Sequence, residues 1–403
     1  MLHNSIRRRG VFYIGGYDPK TPAAFFERLD KERRRFDRLW DVRSVRGPIA
    51  DVNGVARSTV TAEGPSTTGP WRTEADVHFF SLEPVVQRDF AAPIWTRLGR
   101  YLVTFADYVL SGTFFRFARH AWRFAGYFLY PFVMALALFA ATAGLLAWLG
   151  HAAADEPGEL AGWLAGTALF LVVLGRVAPR WYVPHLMDLW SFSRNWLRGR
   201  RPDAAALFDS YGATMASLAR EGDYDEIVLV GHSTGGALIL EIAHAALRAD
   251  PGFAGAAPRV TLLTVGSTAL KIGLHPAAAP FRERVQALHD AGIGWVEFQA
   301  IVDIINFENT DPAALMGVRR TNPDFALARR VRIRSMLEAD TYRRIRRSPF
   351  RVHYQFVFAN TRAYPYDFHS ICFGPLALLE RARNMDRVVE HLSAPTSEAI
   401  EAA

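Results

Sequence analysis

The chain of 403 residues contains only one cysteine, Cys372. A single cysteine cannot form an internal disulfide or supply a cysteine-based zinc or iron–sulfur site. The sequence also contains no P-loop, no dinucleotide-binding fingerprint and no metal-ligand cluster. These absences exclude a disulfide-stapled secreted scaffold, and we predict that the protein uses no cofactor and no metal. Cys372 itself is interpreted as a buried free thiol.

Net positive charge is absent outside one segment, because basic and acidic residues balance in the rest of the chain. The net charge is +7, with 47 Lys plus Arg against 40 Asp plus Glu. The segment Arg319 to Arg347 contains ten arginines and three acidic residues, so it accounts for the whole excess. No zinc-finger spacing or RNA-binding signature accompanies it, and we predict no nucleic-acid partner. Clustered arginines can attract anionic lipid at a membrane surface, and the alternative is a solvated helical face that is paired internally.

Two long runs lack charge almost completely. The first covers Phe124 to Gly150, and the second covers Leu160 to Ala178 with Arg176 near its end. At about 1.5 Å per residue the first run can cross a hydrocarbon core of about 30 Å. The acidic stretch Asp155 to Glu159 between them is typical of a turn. We predict a transmembrane hairpin with helices at about 124–150 and 160–178; the alternatives are a buried helical pair and a re-entrant hairpin.

Positive charge on both flanks orients this hairpin. The positive-inside rule places arginine-rich flanks in the cytoplasm and the acidic turn outside. The N-terminus offers no secretory signal, because the apolar stretch Val11 to Ile14 is too short. We therefore predict a multi-pass protein of the cell (inner) membrane whose remaining parts are cytoplasmic. The flanking arginines are Arg116, Arg119 and Arg123 before the first helix and Arg176, Arg180, Arg194 and Arg198 after the second.

A buried strand leads directly into a serine-containing turn. Ile227 to Val230 is continuously apolar, the pattern of a parallel strand buried on both faces. Gly231-His232-Ser233-Thr234-Gly235-Gly236 follows, and Ala237 to Arg248 has the apolar stripe of a helix. A G-x-S-x-G motif between a strand and a helix is the nucleophile elbow. In these residues the chain resembles the α/β-hydrolase superfamily, in particular its lipases and esterases.

The resemblance implies a triad in the chain order serine, acid, histidine. Asp303 follows the predicted strand Trp295 to Val302, and His369 follows the predicted last strand, Val352 to Ala359. The implied triad is therefore Ser233, Asp303 and His369. Rival acids are Glu297, Glu308 and Asp311. The rival histidine is His353, which we interpret as a structural residue within the last strand.

The resemblance also implies two backbone donors for an oxyanion. One is the N–H of Thr234, directly after the nucleophile. The other comes from a loop after an early strand, here Val11 to Ile14, which makes Gly16 or Tyr17 the donor. The sequence lacks the His-Gly pair that is common before this loop in the family, and the alternative is a plain turn.

The predicted fold is therefore α/β, with a mostly parallel sheet of the α/β-hydrolase type and an inserted two-helix transmembrane hairpin. Because the insertion lies between a strand, Ala75 to Leu82, and a helix, Asp203 to Arg220, it leaves from the sheet edge that holds the ligand crevice. The expected activity is that of a membrane-anchored serine hydrolase that cleaves ester bonds of lipid or amphiphilic substrates. The alternatives are an acyltransferase and a catalytically silent membrane scaffold. The predicted segments are 1–115 and 201–392 for the hydrolase domain, 116–200 for the hairpin with its flanks, and 393–403 for a disordered tail.

Overall fold

The computed structural model describes residues 2–393, so the predicted tail lies outside the described residues except for Ser393. The chain forms two compact units. Residues up to Gln87 and from Arg201 onward form an α/β unit, and Arg88 to Arg200 form a helical unit. The helical unit begins earlier than the predicted boundary at residue 116.

The α/β unit is built on one sheet of nine strands. Its central strands, such as Val260–Val265, are continuously buried and mostly apolar segments. The strands are β1 (Arg8–Ile14), β2 (Arg43–Arg46), β3 (Ala50–Val52), β4 (Val55–Gly64), β5 (Trp71–Phe80), β6 (Glu226–His232), β7 (Val260–Val265), β8 (Gly294–Gln299) and β9 (Leu327–Arg330).

The sheet is mixed. Its order is β2-β4-β5-β1-β6-β7-β8-β9, and β3 pairs with β4. The pairings from β5 through β1 to β9 are parallel, whereas β2, β3 and β4 pair antiparallel. The expectation of a mostly parallel sheet missed this antiparallel extension, whose strands alternate polar and apolar residues. β1 and β6 are direct neighbours, so their carboxyl ends meet at one edge.

Helices cover the sheet and form the whole of the second unit. The first helix begins at Pro22, with the Thr21 hydroxyl accepting a hydrogen bond from the Ala24 N–H at 3.2 Å. This arrangement is an N-cap. The helices are α1 (Pro22–Trp40), α2 (Glu83–Phe90), α3 (Ile94–Leu110), α4 (Thr113–His120), α5 (Trp122–Phe139), α6 (Leu145–Arg176), α7 (Val183–Leu197), α8 (Pro202–Glu221), α9 (Gly235–Ala249), α10 (Ala269–Gly273), α11 (Ala279–Asp290), α12 (Pro312–Leu315), α13 (Ala339–Ile345), α14 (Pro349–Tyr354), α15 (Phe368–Phe373), α16 (Leu378–Arg383) and α17 (Met385–Leu392).

The helical unit has its own aromatic core around Trp190 of α7. The indole is fully buried and contacts Tyr108 of α3, Phe117 of α4 and Phe128 of α5. Aromatic pairs of this kind are each worth about 0.5 to 1.5 kcal/mol beyond the area they bury. Since α3 and α4 complete this core, the unit starts before the predicted boundary.

One long apolar helical segment dominates this unit. It runs from Trp122 to Arg176. A stretch of 18 residues within it has a mean hydropathy of 2.2, and only 17% of that stretch is buried. Ala154 and Asp155 have non-helical torsions inside it. A Cβ at Gly162 would lie 2.6 Å from the Ala147 Cα, so the parts before and after this kink pack closely. In place of the two helices predicted at about 124–150 and 160–178, the structure has this one long apolar helical segment. The predicted turn over residues 155–159 is wrong, because the chain is helical again immediately after Asp155.

The predicted last strand is also wrong. Residues 352–359 contain the end of α14 and a 3₁₀ turn, Gln355–Val357, because Pro349 starts a helix where its missing N–H is not needed. The last strand, β9, lies within the arginine-rich segment instead. Arg329 of β9 donates a hydrogen bond to the Ala382 carbonyl at 2.6 Å, and Arg320 pairs with Asp311. Part of this segment is therefore internal structure.

Candidate active site

Ser233 sits at a strained turn between β6 and α9. Its φ is +60°, a left-handed conformation that is uncommon for residues with a side chain. Its N–H donates to the Val265 carbonyl at 3.2 Å, and its carbonyl accepts from Gly236 and Thr268 at 3.0 Å. These three hydrogen bonds hold the strained backbone and leave the half-buried side chain at the carboxyl edge of the sheet.

The glycines of the elbow are required by close contacts. A Cβ at Gly231 would lie 2.4 Å from the Gly235 carbonyl oxygen, and a Cβ at Gly235 would lie 2.4 Å from the carbonyl oxygens of Ile14 and Gly15. Contacts this short do not occur for real side chains, so the turn can form only with glycine at these positions. The loop after β1 is thereby packed directly against the elbow.

Asp303 is paired with His353. The Asp303 Oδ2 atom lies 2.7 Å from the His353 Nδ1 atom, and both side chains are buried. The Oδ1 atom of Asp303 accepts the Ile305 N–H at 2.9 Å. Asp303 lies four residues after the end of β8 rather than directly after the strand, in a turn that Asn306 stabilises through the Ala300 and Asp303 carbonyls.

His353 lies next to the elbow. Its ring centroid is 4.7 Å from that of His232, the residue before Ser233, and its carbonyl is 3.3 Å from the His232 Nε2 atom. Gly266 follows the Val265 carbonyl that holds Ser233, and a Cβ there would lie 3.0 Å from the His353 Cε1 atom. The His353 Nε2 atom is buried and has no hydrogen-bond partner among the described residues. One ring nitrogen is thus fixed by a carboxylate while the other is available.

The structure places His369 elsewhere, which corrects the predicted base. His369 lies in α15, fully buried, and its ring stacks on Phe36 and contacts Phe373. Neither ring nitrogen has a hydrogen-bond partner among residues 2–393, and no carboxylate holds the ring. Burial lowers the pKa of His369 to about 3, so the ring is neutral. Asp303 is thus paired with His353 and not with His369, and His353 lies against His232, the neighbour of Ser233.

The rival acidic residues and the cysteine lie in other environments. Glu297 is buried within β8, where it accepts hydrogen bonds from Thr264 at 2.9 Å and Gln299 at 2.8 Å. Burial raises its pKa to about 7. Asp311 caps α12 through the Ala314 N–H. Cys372 is buried, as expected, and burial raises the pKa of its thiol to about 12.

The loop after β1 faces the serine. A Cβ at Gly16 would lie 3.3 Å from the Ser233 Cβ, 3.4 Å from its Oγ and 4.0 Å from the Thr234 nitrogen. Neither the Gly16 N–H nor the Thr234 N–H donates a hydrogen bond to another described residue. Tyr17 follows in the same loop and is buried. Gly16, one of the expected oxyanion donors, therefore lies beside Ser233 and Thr234, and Tyr17 is the next residue of the same loop.

A buried lysine donates a hydrogen bond to the side chain of Thr234. Lys271 of α10 is 1% exposed, and its Nζ atom donates to the Thr234 Oγ1 atom at 3.2 Å. Burial lowers the pKa of Lys271 to about 7. Sequence reasoning missed this residue, although a lone lysine in the apolar run Leu270-Lys271-Ile272 is an unusual pattern for a surface residue.

A small cavity of about 20 Å³ opens beside the elbow, large enough for about one water molecule. Its wall includes Gly15 and Gly16 of the loop, His232, and the side chains of Lys20, Arg28 and Tyr354. A wider groove of about 1010 Å³ lies at the opposite side of the sheet, between α1 and the ends of β4 and β5. That groove contains neither Ser233 nor the Asp303–His353 pair, and we place the site at the elbow.

Among residues 2–393, no group of three or more His, Cys, Asp or Glu side chains is arranged to hold a metal ion. Comparison with protein-family models, with curated proteins and with solved structures finds no match for this chain.

Proposed function

We propose that this protein is a membrane-anchored serine hydrolase of the α/β-hydrolase type that cleaves ester bonds of lipid or amphiphilic substrates. The observation that carries the proposal is the Asp303–His353 pair, whose unpartnered Nε2 atom lies beside the strained Ser233 elbow. A serine hydroxyl is a weak nucleophile unless a positioned base takes its proton. The pair supplies such a base and fixes its tautomer.

The chemistry follows from these positions. The His353 Nε2 atom accepts the Ser233 hydroxyl proton while Oγ attacks the ester carbonyl carbon. The N–H groups of Thr234 and of Gly16 or Tyr17 stabilise the negative oxygen of the tetrahedral intermediate. Collapse of this intermediate breaks the ester C–O bond, and His353 gives its proton to the leaving alcohol. Water then attacks the acyl-enzyme and passes a proton to His353, which returns it to Ser233 as the acid departs.

Each supporting group has a separate role. Asp303 accepts the Nδ1–H and stabilises the imidazolium that forms during each step. The two oxyanion donors are each worth roughly 2.7 to 4 kcal/mol of transition-state stabilisation. Lys271 acts as a positioning residue, because its Nζ atom donates a hydrogen bond to the Thr234 hydroxyl oxygen.

The membrane anchor is part of the proposal. The segment Trp122–Arg176 is long and apolar enough to cross a bilayer, and exposed Leu136, Leu164 and Trp148 are suited to a lipid environment. We assign it to the cell (inner) membrane with the arginine-rich flanks and the α/β unit in the cytoplasm. The arginines of 319–347 that have no internal role are available to contact anionic lipid.

Covalent labelling with a fluorophosphonate probe tests the proposal. The full chain in neutral detergent is compared with Ser233→Ala, His353→Gln, Asp303→Asn and the control His369→Phe. We expect labelling to disappear in Ser233→Ala and to slow strongly in His353→Gln, with wild-type rates in His369→Phe. If the wild-type protein is not labelled at Ser233, the hydrolase proposal is wrong and the silent scaffold replaces it.

Product analysis separates hydrolysis from acyl transfer, which uses the same acyl-enzyme. Wild-type protein that has not been treated with the probe is incubated with an ester substrate in the presence and absence of an acceptor alcohol. Free acid as the main product in both conditions supports hydrolysis. A new ester that replaces the acid when the alcohol is present assigns acyl transfer instead.

A further inference from the structure

One exposed side of α3, the helix before the long apolar segment, carries no polar side chain. With about 3.6 residues per turn, six exposed residues of this helix fall within one arc of about 100°. The four large ones are between 48% and 85% exposed. The exposed side of a helix in a water-soluble protein is normally polar, so this side is unusual. We call it the outer face of α3; it consists of Trp95, Gly99, Leu102, Val103, Ala106 and Leu110.

The polar residues of α3 point toward α7 instead. Arg97 donates a hydrogen bond to the Asp188 Oδ2 atom at 2.5 Å, and the Tyr101 hydroxyl donates to the Asp188 Oδ1 atom at 2.8 Å. One turn further, the Thr104 hydroxyl donates to the Ser191 hydroxyl oxygen at 3.2 Å, and both residues are buried. A helix with polar contacts on the inside and an apolar outside has the inverse of the soluble pattern, which is typical of a helix surrounded by lipid.

The charged side chains of α3 are all paired within the helical unit. Besides Arg97, they are Arg100 and Asp107. Asp107 accepts a hydrogen bond from the Arg194 Nε atom at 2.8 Å, and the Arg100 guanidinium lies 3.7 Å from the Asp89 carboxylate. Charged residues are tolerated near hydrocarbon when they face the protein and pair in this way. The charges of α3 therefore do not oppose contact between its outer face and acyl chains.

α3 packs along the apolar segment Trp122–Arg176. The Phe105 ring lies 5.0 Å from the ring of Phe132 in α5, and Leu98 packs on the hydrophobic cluster that contains Phe170 of α6. Near Phe132, α5 exposes the apolar side chain of Leu136. Exposed apolar surface thus occurs on both helices of this packed pair. Lipid that surrounds the apolar segment would also reach α3, and this continuity favours acyl chains as the occupant of the outer face.

We infer that the outer face of α3 is a lipid-contact surface that lies against the acyl chains of the bilayer. The part of the protein in contact with lipid then begins at about Ile94 instead of Trp122. The inference rests on the membrane anchor of the proposed function and does not depend on the hydrolase chemistry. The other occupant that an apolar helix face accepts is a second copy of the chain, and the experiment distinguishes the two.

Nitroxide labels on the outer face test the inference. Leu102→Cys and Leu110→Cys are labelled in the full chain, since Cys372 is buried, and reconstituted in nanodiscs of phosphatidylcholine and phosphatidylglycerol. Power saturation measures the accessibility of each label to oxygen, which is concentrated in hydrocarbon, and to a water-soluble nickel complex. Leu164→Cys in the apolar segment is the lipid control, and Ala213→Cys on an exposed face of α8 is the water control. We expect the oxygen-to-nickel ratio at both α3 positions to be at least about fivefold above that at position 213 and close to that at 164, because hydrocarbon excludes the polar complex.

Three results would overturn the inference, and each has a different meaning. A ratio at either α3 position equal to that at Ala213→Cys would mean that the face is in water. Protection from both reagents would mean that protein covers the face, and spin–spin broadening that disappears on dilution with unlabelled protein would identify a second copy. If the nickel complex reaches Leu164→Cys as freely as Ala213→Cys, the membrane anchor itself is wrong. Fluorophosphonate labelling of Ser233 remains a separate test of the hydrolase in every case.

Discussion

Asp303 and His353 are joined by a 2.7 Å hydrogen bond between Oδ2 and Nδ1, although 50 positions separate them in the chain. The second oxygen of the carboxylate is held by the Ile305 N–H at 2.9 Å. Both oxygens of Asp303 are therefore used, and the imidazole is kept in the tautomer that leaves Nε2 without a proton when the ring is neutral.

Replacing this carboxylate tests the role of the pair. Asp303→Asn keeps the size of the side chain but offers the Nδ1 atom a donor in place of an acceptor, which favours the wrong tautomer. We expect kcat for a soluble aryl ester to fall about 10²- to 10⁴-fold, with a smaller change in KM. The substitution Asp311→Asn, at a helix cap outside the site, is the control and should leave kcat unchanged. Equal rates for Asp303→Asn and wild type would remove Asp303 from the mechanism.

The close approach of Gly16 to Ser233 gives a second prediction. The methyl group of Gly16→Ala would lie 3.3 to 3.4 Å from the serine side chain, where it must displace the loop or the nucleophile. We expect the rate of fluorophosphonate labelling to fall at least about tenfold, in line with loss of part of one oxyanion donor. Gly15→Ala is the matched control, because its methyl group would make only ordinary contacts with Tyr13 at 3.7 and 3.8 Å. A loss of labelling in Gly15→Ala equal to that in Gly16→Ala would contradict the loop assignment.

The buried His369 predicts a pH dependence of stability. Its pKa is lowered to about 3 by burial, whereas an unfolded histidine titrates near about 6.5. The unfolded chain therefore binds a proton that the folded chain does not, and stability falls as pH drops from about 6.5 toward 3. The slope from this residue is at most about 1.4 kcal/mol per pH unit.

His369→Phe removes this titration and suits the aromatic surroundings. We expect the difference in melting temperature between the variant and the wild type to move in favour of the variant as pH decreases from 7 to 5. Circular dichroism melts in neutral detergent measure it. A difference that stays constant over this range would mean that His369 is protonated in the folded protein or exposed to solvent.

The orientation of the protein in the membrane can be determined with a single introduced cysteine. Ala153 is exposed near the kink of the apolar segment, whereas Cys372 is buried with a pKa raised to about 12, so the native thiol should not react with a maleimide. We expect Ala153→Cys to react with a membrane-impermeant maleimide in intact cells. Ala213→Cys, on an exposed face of α8 in the α/β unit, should react only after lysis. The reverse pattern would invert the proposed orientation.

The elements that the sequence predicts best are those whose burial is continuous. β6, β7 and β8 are buried on both faces and mostly apolar, so their pattern alone identifies them, and the glycines around Ser233 mark the turn that follows β6. The strands β2 and β3 are short and largely exposed, and only pairing with β4 makes them strands. Such pairing is a tertiary effect and leaves little local signal.

The pairing of Asp303 with His353 was the part of the candidate site that local reasoning could not find. The run from Val352 to Ala359 is rich in aromatic and β-branched residues and therefore predicts a strand, but Pro349 begins a helix over its first part. Which histidine meets Asp303 depends on the turn at Ala300–Asn306 and on the packing of α14, and neither is visible in spacing. His353 and His369 have the same chemistry, and only their surroundings distinguish them.

Gly266 helps to fix the position of the His353 ring in the fold. Its φ is +53°, and the volume that a side chain would occupy there is filled by the rings of His353 and Phe356. The position of His353 thus depends on an atom that is missing from a different residue. A mutational screen that scores only the polar residues of the candidate site would pass over Gly266. Almost any substitution at Gly266 should nevertheless shift the His353 ring while leaving Ser233, His353 and Asp303 themselves unchanged.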